Sequence, residues 1–139
     1  MAVAFFPSGA SMDPVTAQIA PQIADLKAGT ALPLGAACYI DGAGLAQLCD
    51  ATAADVKGAF VGMPGRAVQA GEPVTLLGPG TRLLYDATGL QGLVAGMQLF
   101  LNTTPGGLQD TAATGDTTGV AVALNIYDIV ISMFKLIGG

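Results

Sequence analysis

The sequence predicts a mainly β protein, a small β-barrel or β-sandwich built from two similar β units and preceded by an extended N-terminal arm. Three observations predict it. Short apolar runs bounded by Gly, Pro, Asp or Thr recur from Gly29 onward, as strands do when turns punctuate them. One stretch of the chain repeats farther along. The first 27 residues differ in composition from the rest.

The strand-sized runs are Ala37–Ile40, Ala59–Val61, Val74–Leu77, Arg82–Tyr85, Val94–Leu101, Gly119–Leu124 and Ile126–Phe134. Their roughly even spacing suits a barrel or sandwich. Asp41-Gly42-Ala43-Gly44 reads as a hairpin turn because Gly supplies positive φ there, and Thr104-Pro105-Gly106-Gly107 reads as another. The repeat aligns Gly35–Asp41 with Gly96–Asn102, and Gly58–Gly62 with Gly119–Ala123, at one offset of 61 residues. Asp-containing loops lie between these matches, Leu48–Ala53 in one copy and Leu108–Ala113 in the other. Each copy ends with an acidic residue at a strand, Glu72 before Val74–Leu77 and Asp128 before Ile129–Ile131. The domain therefore runs over 28–139, with copies at about 32–77 and 93–133. Two copies are too few for a solenoid.

Residues 1–27 carry Pro7, Pro14 and Pro21, and each proline confines its neighbours to extended or turn geometry. Asp13-Pro14 suits the start of a short helix, with Ile19, Ile23 and Leu26 roughly on one face. Two readings stay open, a partly ordered tail or an arm that orders on a partner. In the second, Phe5, Phe6, Ile19, Ile23 and Leu26 are the contact residues, and a chain lacking 1–27 folds but binds its partner poorly.

Composition excludes much. The chain has 139 residues, 52% of them apolar, 20 of them Gly and only 11% charged, against roughly 25% charged in an ordinary domain. So few charges do not keep every face of a lone domain in water. Without His, the usual general base and commonest metal ligand are missing. A net charge of −5 with singly scattered Lys and Arg argues against nucleic acid. The start lacks a basic region before its apolar stretch, which makes a poor signal peptide. Polar residues and Pro105 interrupt the uncharged run between Asp86 and Asp110, so no membrane span is expected. The expected product is soluble and made in the cytoplasm.

Candidate chemistry is sparse. Asp41, Asp50, Asp55, Asp110, Asp116 and Asp128 sit in or beside turns, where Asp bonds local amides. Calcium sites in Asp50–Asp55 or Asp110–Asp116 lack EF-hand spacing. Cys38 and Cys49 flank one hairpin, and two readings stay open, a pair facing each other across it or two small buried hydrophobes. They have no His to activate them. Tyr39 and Phe100 occupy equivalent repeat positions and read as core. No enzyme constellation, cofactor site or metal site is expected.

The phrase Leu-x-x-Gly-x-x-x-Tyr-Ile-Asp-x-x-Gly over Leu32–Gly44, its echo in the second half, and Ala70-Gly-Glu-Pro-Val-Thr-Leu76 resemble phage capsid decoration proteins. These are the small β-rich cement proteins of tailed-phage heads, some related in fold to the head-stabilising protein of phage lambda, with a β-tulip-like domain. The resemblance covers roughly Lys27–Ile131. It implies a structural virion protein on the outer capsid surface, with the major capsid protein and copies of itself, often as trimers, for partners. It also implies an N-terminal arm that adds a strand to the capsid, and bracing of the shell against internal pressure. Ala51–Asp55 and Thr111–Thr118 are the expected outer loops. Alternative readings are a head-fibre base or tail component, or a small carbohydrate-binding module, which the lack of Trp disfavours.

Overall fold

The computed structural model describes residues 3–8, 11–12 and 22–132. Among these the protein is mainly β, with no α-helix and one 3-10 turn at Val56–Gly58. The strands are β1 (Ala4–Phe5), β2 (Ser11–Met12), β3 (Gln22–Ala28), β4 (Cys38–Ile40), β5 (Leu45–Leu48), β6 (Met63–Pro64), β7 (Pro73–Leu77), β8 (Arg82–Leu84), β9 (Gln98–Leu101), β10 (Leu108–Gln109), β11 (Ala121–Ala123) and β12 (Asp128–Ile131). They form two sheets, ordered β4-β5-β3-β7-β6 and β1-β10-β9-β11-β12-β8-β2.

The two sheets are copies of one plan. In the first, β3 lies antiparallel to β7, β7 to β6, and β4 to β5. In the second, β8 lies antiparallel to β12, β12 to β11, and β9 to β10. The link between β9 and β11 has its counterpart where Cys38 of β4 bridges Gly62, just before β6. Gly35 and Gly96, matched in the sequence repeat, turn the chain into β4 and β9 with φ of 83° and 85°. That left-handed region favours glycine. Leu32 and Leu93, at the same offset, are both buried.

How each sheet closes is what differs. In the first, β3 and β5 run parallel and pair at Lys27–Leu45 and Ala28–Ala46. With the Cys38–Gly62 bridge, the sheet curls until its edges meet. In the second, β8 and β10 do not pair. The N-terminal segment lies between them, with β1 antiparallel to β10 and β2 antiparallel to β8. Between these two pairings, Ser8 donates to the Tyr85 carbonyl (2.8 Å) and accepts from Ala87 (2.6 Å).

This revises the expected arm. Its described parts are strands of the domain's own sheets, because backbone groups at a curled sheet's gap need partners. The expected helix start at Asp13-Pro14 lies outside the described residues. Several strand limits also shift. Val94 precedes β9 on an exposed loop, Ala59–Val61 is not a strand but leads into the bridge at Gly62, and 124–127 is a turn.

Alternation along each strand builds two cores. Ile129 and Ile131 point inward from β12 while Asp128 and Val130 do not, as period-two geometry requires. The smaller core joins Ala28, Leu32, Cys38, Ala46, Val68, Val74 and Leu76. Ala and Cys suit the narrow interior of five short strands. The larger core fills the second sheet with Phe5, Leu83, Tyr85, Leu99, Leu101, Leu108, Val120 and Ile129. Tyr39, Cys49, Phe60 and Met63 reach into it from the first unit. Cys38 and Cys49 thus join different cores and do not face each other, since Cys38 registers with Leu48 instead. Tyr39 is buried and Phe100 only half-buried.

Candidate functional site

The structure separates the residues expected to make contacts. Phe5 is 0% exposed within the larger core, and the Tyr85 hydroxyl donates to its carbonyl at 3.2 Å. It is therefore an internal anchor, not a surface one. Ile23 and Leu26 are half-buried on β3 against the smaller core. Between them the chain bulges, with Asp25 at φ 63° and a register shift against β7. Phe6 is exposed, with its N–H donating to Gln91 Oε1 (2.8 Å) and its carbonyl accepting from Gln91 Nε2 (2.7 Å). Ile19 lies outside the described residues.

The carboxylates organise loops. Asp41 accepts from Ala43, Leu45 and Gln47, and the Gln47 and Leu45 hydrogen bonds hold its carboxyl below the usual range. Asp50 caps Thr52, Asp55 caps Lys57, and Asp110 accepts from Val3. Asp116, fully buried, accepts from Leu101, Thr118 and Gly119. Among the described residues no group of three or more His, Cys, Asp or Glu side chains is arranged to hold a metal ion. No helix there is long and apolar enough to cross a membrane.

Two concavities stand out. A groove of about 470 Å³ runs beside the β3 bulge, lined by Asp25, Arg66, Thr75 and apolar residues of β3 and β7. Arg66 is turned to the Pro73 carbonyl at 2.9 Å. A smaller hollow of about 210 Å³ lies among Asp50, Thr52, Asp55 and Lys57. In the hollow the Thr52 hydroxyl donates to Asp50 Oδ1 at 2.5 Å, within the same turn that Asp50 caps.

The most distinctive surface belongs to the second unit. The link from β8 to β9 and the turn from β11 to β12 lie at one end of that sheet, because β9 and β11 are antiparallel, as are β8 and β12. There Leu90 is 85% exposed and Val94 58%, with Leu124, Ile126 and Tyr127 also exposed. Gly89, at φ 67°, lies so close to Tyr127 and Ile126 that a side chain would collide with them. Sequence reading missed this cluster. Val94 and Ile126 fall within the strands that the sequence predicts. The available signal was Leu90 alone among Gly89, Gln91 and Gly92, an apolar side chain where turns are normally polar.

Charge is divided between the units. The first presents Asp25, Lys27, Asp41, Asp50, Asp55, Lys57, Arg66 and Glu72, none of them buried. In the second, Asp86 and Asp116 are buried, Arg82 pairs with Asp128 at 2.6 Å, and half-buried Asp110 accepts from the Val3 N–H. Residues 87–109 and 117–127 carry no charge. In comparisons with known proteins, no family model and no curated protein matches the chain.

Proposed function

We propose that this is a structural virion protein that decorates the outer surface of a tailed-phage head and stabilises it, assembled with copies of itself as a trimer. The observation that carries this reading is the one-sided distribution of charge. A lone domain keeps polar groups on all faces, whereas a part sealed against neighbours needs them only where it meets solvent. The first unit supplies that solvent face, and the second supplies an apolar end. The duplicated plan supports the same reading through the resemblance of Leu32–Gly44 and Ala70–Leu76 to decoration proteins.

The arm takes a different part in this proposal from the one the resemblance implies. β1 already adds to the chain's own β10, so strand addition to the shell through Phe5 is not part of it. Electron microscopy of parent heads mixed with the purified protein tests the proposal. Density on the outside of the shell at a fixed lattice position is expected. Bare expanded heads at saturating protein would rule it out.

A further inference from the structure

We propose that the uncharged end of the second unit is the surface on which a second copy of this chain docks. Leu90 and Val94 stand on one loop there, and Leu124, Ile126 and Tyr127 on the facing turn, all exposed. The loops are locked together. The Tyr127 carbonyl accepts from the N–H groups of Tyr85 (2.9 Å) and Asp86 (3.0 Å), and Gly96 donates to the Ala123 carbonyl at 2.8 Å.

The polar groups of this end are spent inward. Buried Asp86 accepts from the Thr88 N–H and hydroxyl and from the Gln91 N–H. Gln91 holds both backbone groups of Phe6. Asn125 Oδ1 accepts from Tyr127 and Asp128, each at 2.7 Å. Covering the cluster therefore strands few polar groups and orders little that is not already ordered, the two costs that usually limit association. Exposed apolar clusters built this way mark interaction surfaces.

Charge identifies the occupant. The chain carries −5 overall, and its exposed carboxylates lie mainly on the first unit. Two copies meeting through those faces would set like charges against each other. Around a three-fold axis the apolar ends of neighbouring copies meet, and the carboxylates nearest them, Asp86 and Asp128, are respectively buried and paired with Arg82. This inference rests on the self-assembly part of the proposed function and not on the capsid part.

Sedimentation velocity of the full chain, from low to high micromolar concentration, tests it. Self-association is expected, and Leu90→Asp and Val94→Asp should each weaken it by about tenfold or more. Val56→Asp, at an exposed apolar position on the first unit, should leave it unchanged. Added salt should preserve or tighten association, because it screens repulsion between acidic copies. Far-UV circular dichroism and thermal melting verify that each variant folds, and Leu90→Ser serves if an aspartate there disturbs the loop. A wild-type chain that stays monomeric overturns the inference, as does association that both aspartate variants leave intact. Loss of head decoration with self-association untouched assigns the surface to the shell protein and also overturns it. If association follows this pattern but heads stay bare, the capsid reading fails and this inference stands.

Discussion

Asp41 and Asn102 perform the same task in two hairpins that the repeat places 61 residues apart. Oδ1 of Asp41 accepts from the Ala43 N–H at 2.9 Å, and Oδ1 of Asn102 accepts from the Thr104 N–H at 3.0 Å. Each side chain thereby fixes the turn that leads to the next strand. Asn102 is also buried and donates through Nδ2 to the Leu108 carbonyl at 3.1 Å. An aspartate lacks that donor, so the two positions are not interchangeable. Asn102→Ala is expected to destabilise the protein by about 1–3 kcal/mol, since it leaves a buried carbonyl without its partner. Asp41→Ala should cost clearly less, because water reaches that turn. Urea denaturation of both variants checks the order, and equal losses would mean that the buried Asn102–Leu108 bond adds nothing to the shared turn contact.

Phe5 is expected to behave as a core residue of the second unit although it stands near the chain start. Phe5→Ala removes a fully buried ring from the larger core and should cost about 3–5 kcal/mol. Removal of residues 1–27 deletes β1, β2 and nearly all of β3, and should leave a chain that does not fold cooperatively. Thermal unfolding followed by circular dichroism measures both. A stable truncated domain would mean that the N-terminal strands are dispensable to the sheets they complete.

Much of this architecture is legible in the residues, and the gaps have physical reasons. Gly35 and Gly96 are visible because a positive φ demands glycine, and the turn at Asp41–Gly44 because its side-chain acceptor and glycines are local. The alternation of Ile129 and Ile131 is likewise local. The placement of Phe5 is not, because a two-residue strand is defined by β10, more than a hundred residues away. The same holds for Cys38 and Cys49, whose assignment to separate cores depends on how each sheet curls. At the candidate surface, Gly89 and Tyr127 are brought together only by antiparallel pairing of distant strands. Apolar residues on loops read as strand by periodicity alone, as Val94 and Ile126 do.

Acid is expected to weaken the fold through Asp41 and Asp86. For Asp86, burial opposes ionisation, but hydrogen bonds from Thr88 and Gln91 together outweigh it and lower the carboxyl below its ordinary value. Asp41 is lowered chiefly by the Gln47 hydrogen bond. A carboxyl lowered on folding stabilises the native state above its unfolded pKa, and that contribution disappears as pH falls through the folded value. The melting temperature should therefore hold near neutrality and drop below about pH 4. Asp86→Asn should melt earlier at neutral pH, because an amide nitrogen cannot accept from Gln91, yet lose less on acidification. A variant with the wild-type acid profile would remove Asp86 from this account.

The thiols supply a final measurement, one that reports on the closure of both sheets. Cys38 and Cys49 are free and fully buried, and burial pushes both thiols above their ordinary range. The thiolate is the reactive form, so a thiol-specific reagent should label neither residue in the native protein at mildly alkaline pH. Both should label on unfolding. When reclosing outpaces labelling, the labelling rate follows the population of opened molecules. Phe5→Ala should then speed labelling of Cys49, which shares its core, more than labelling of Cys38, which belongs to the smaller one. Peptide mapping after a timed pulse separates the two sites. Equal acceleration would show that the units open together, and rapid labelling of the wild type would show that the cores are not closed as described.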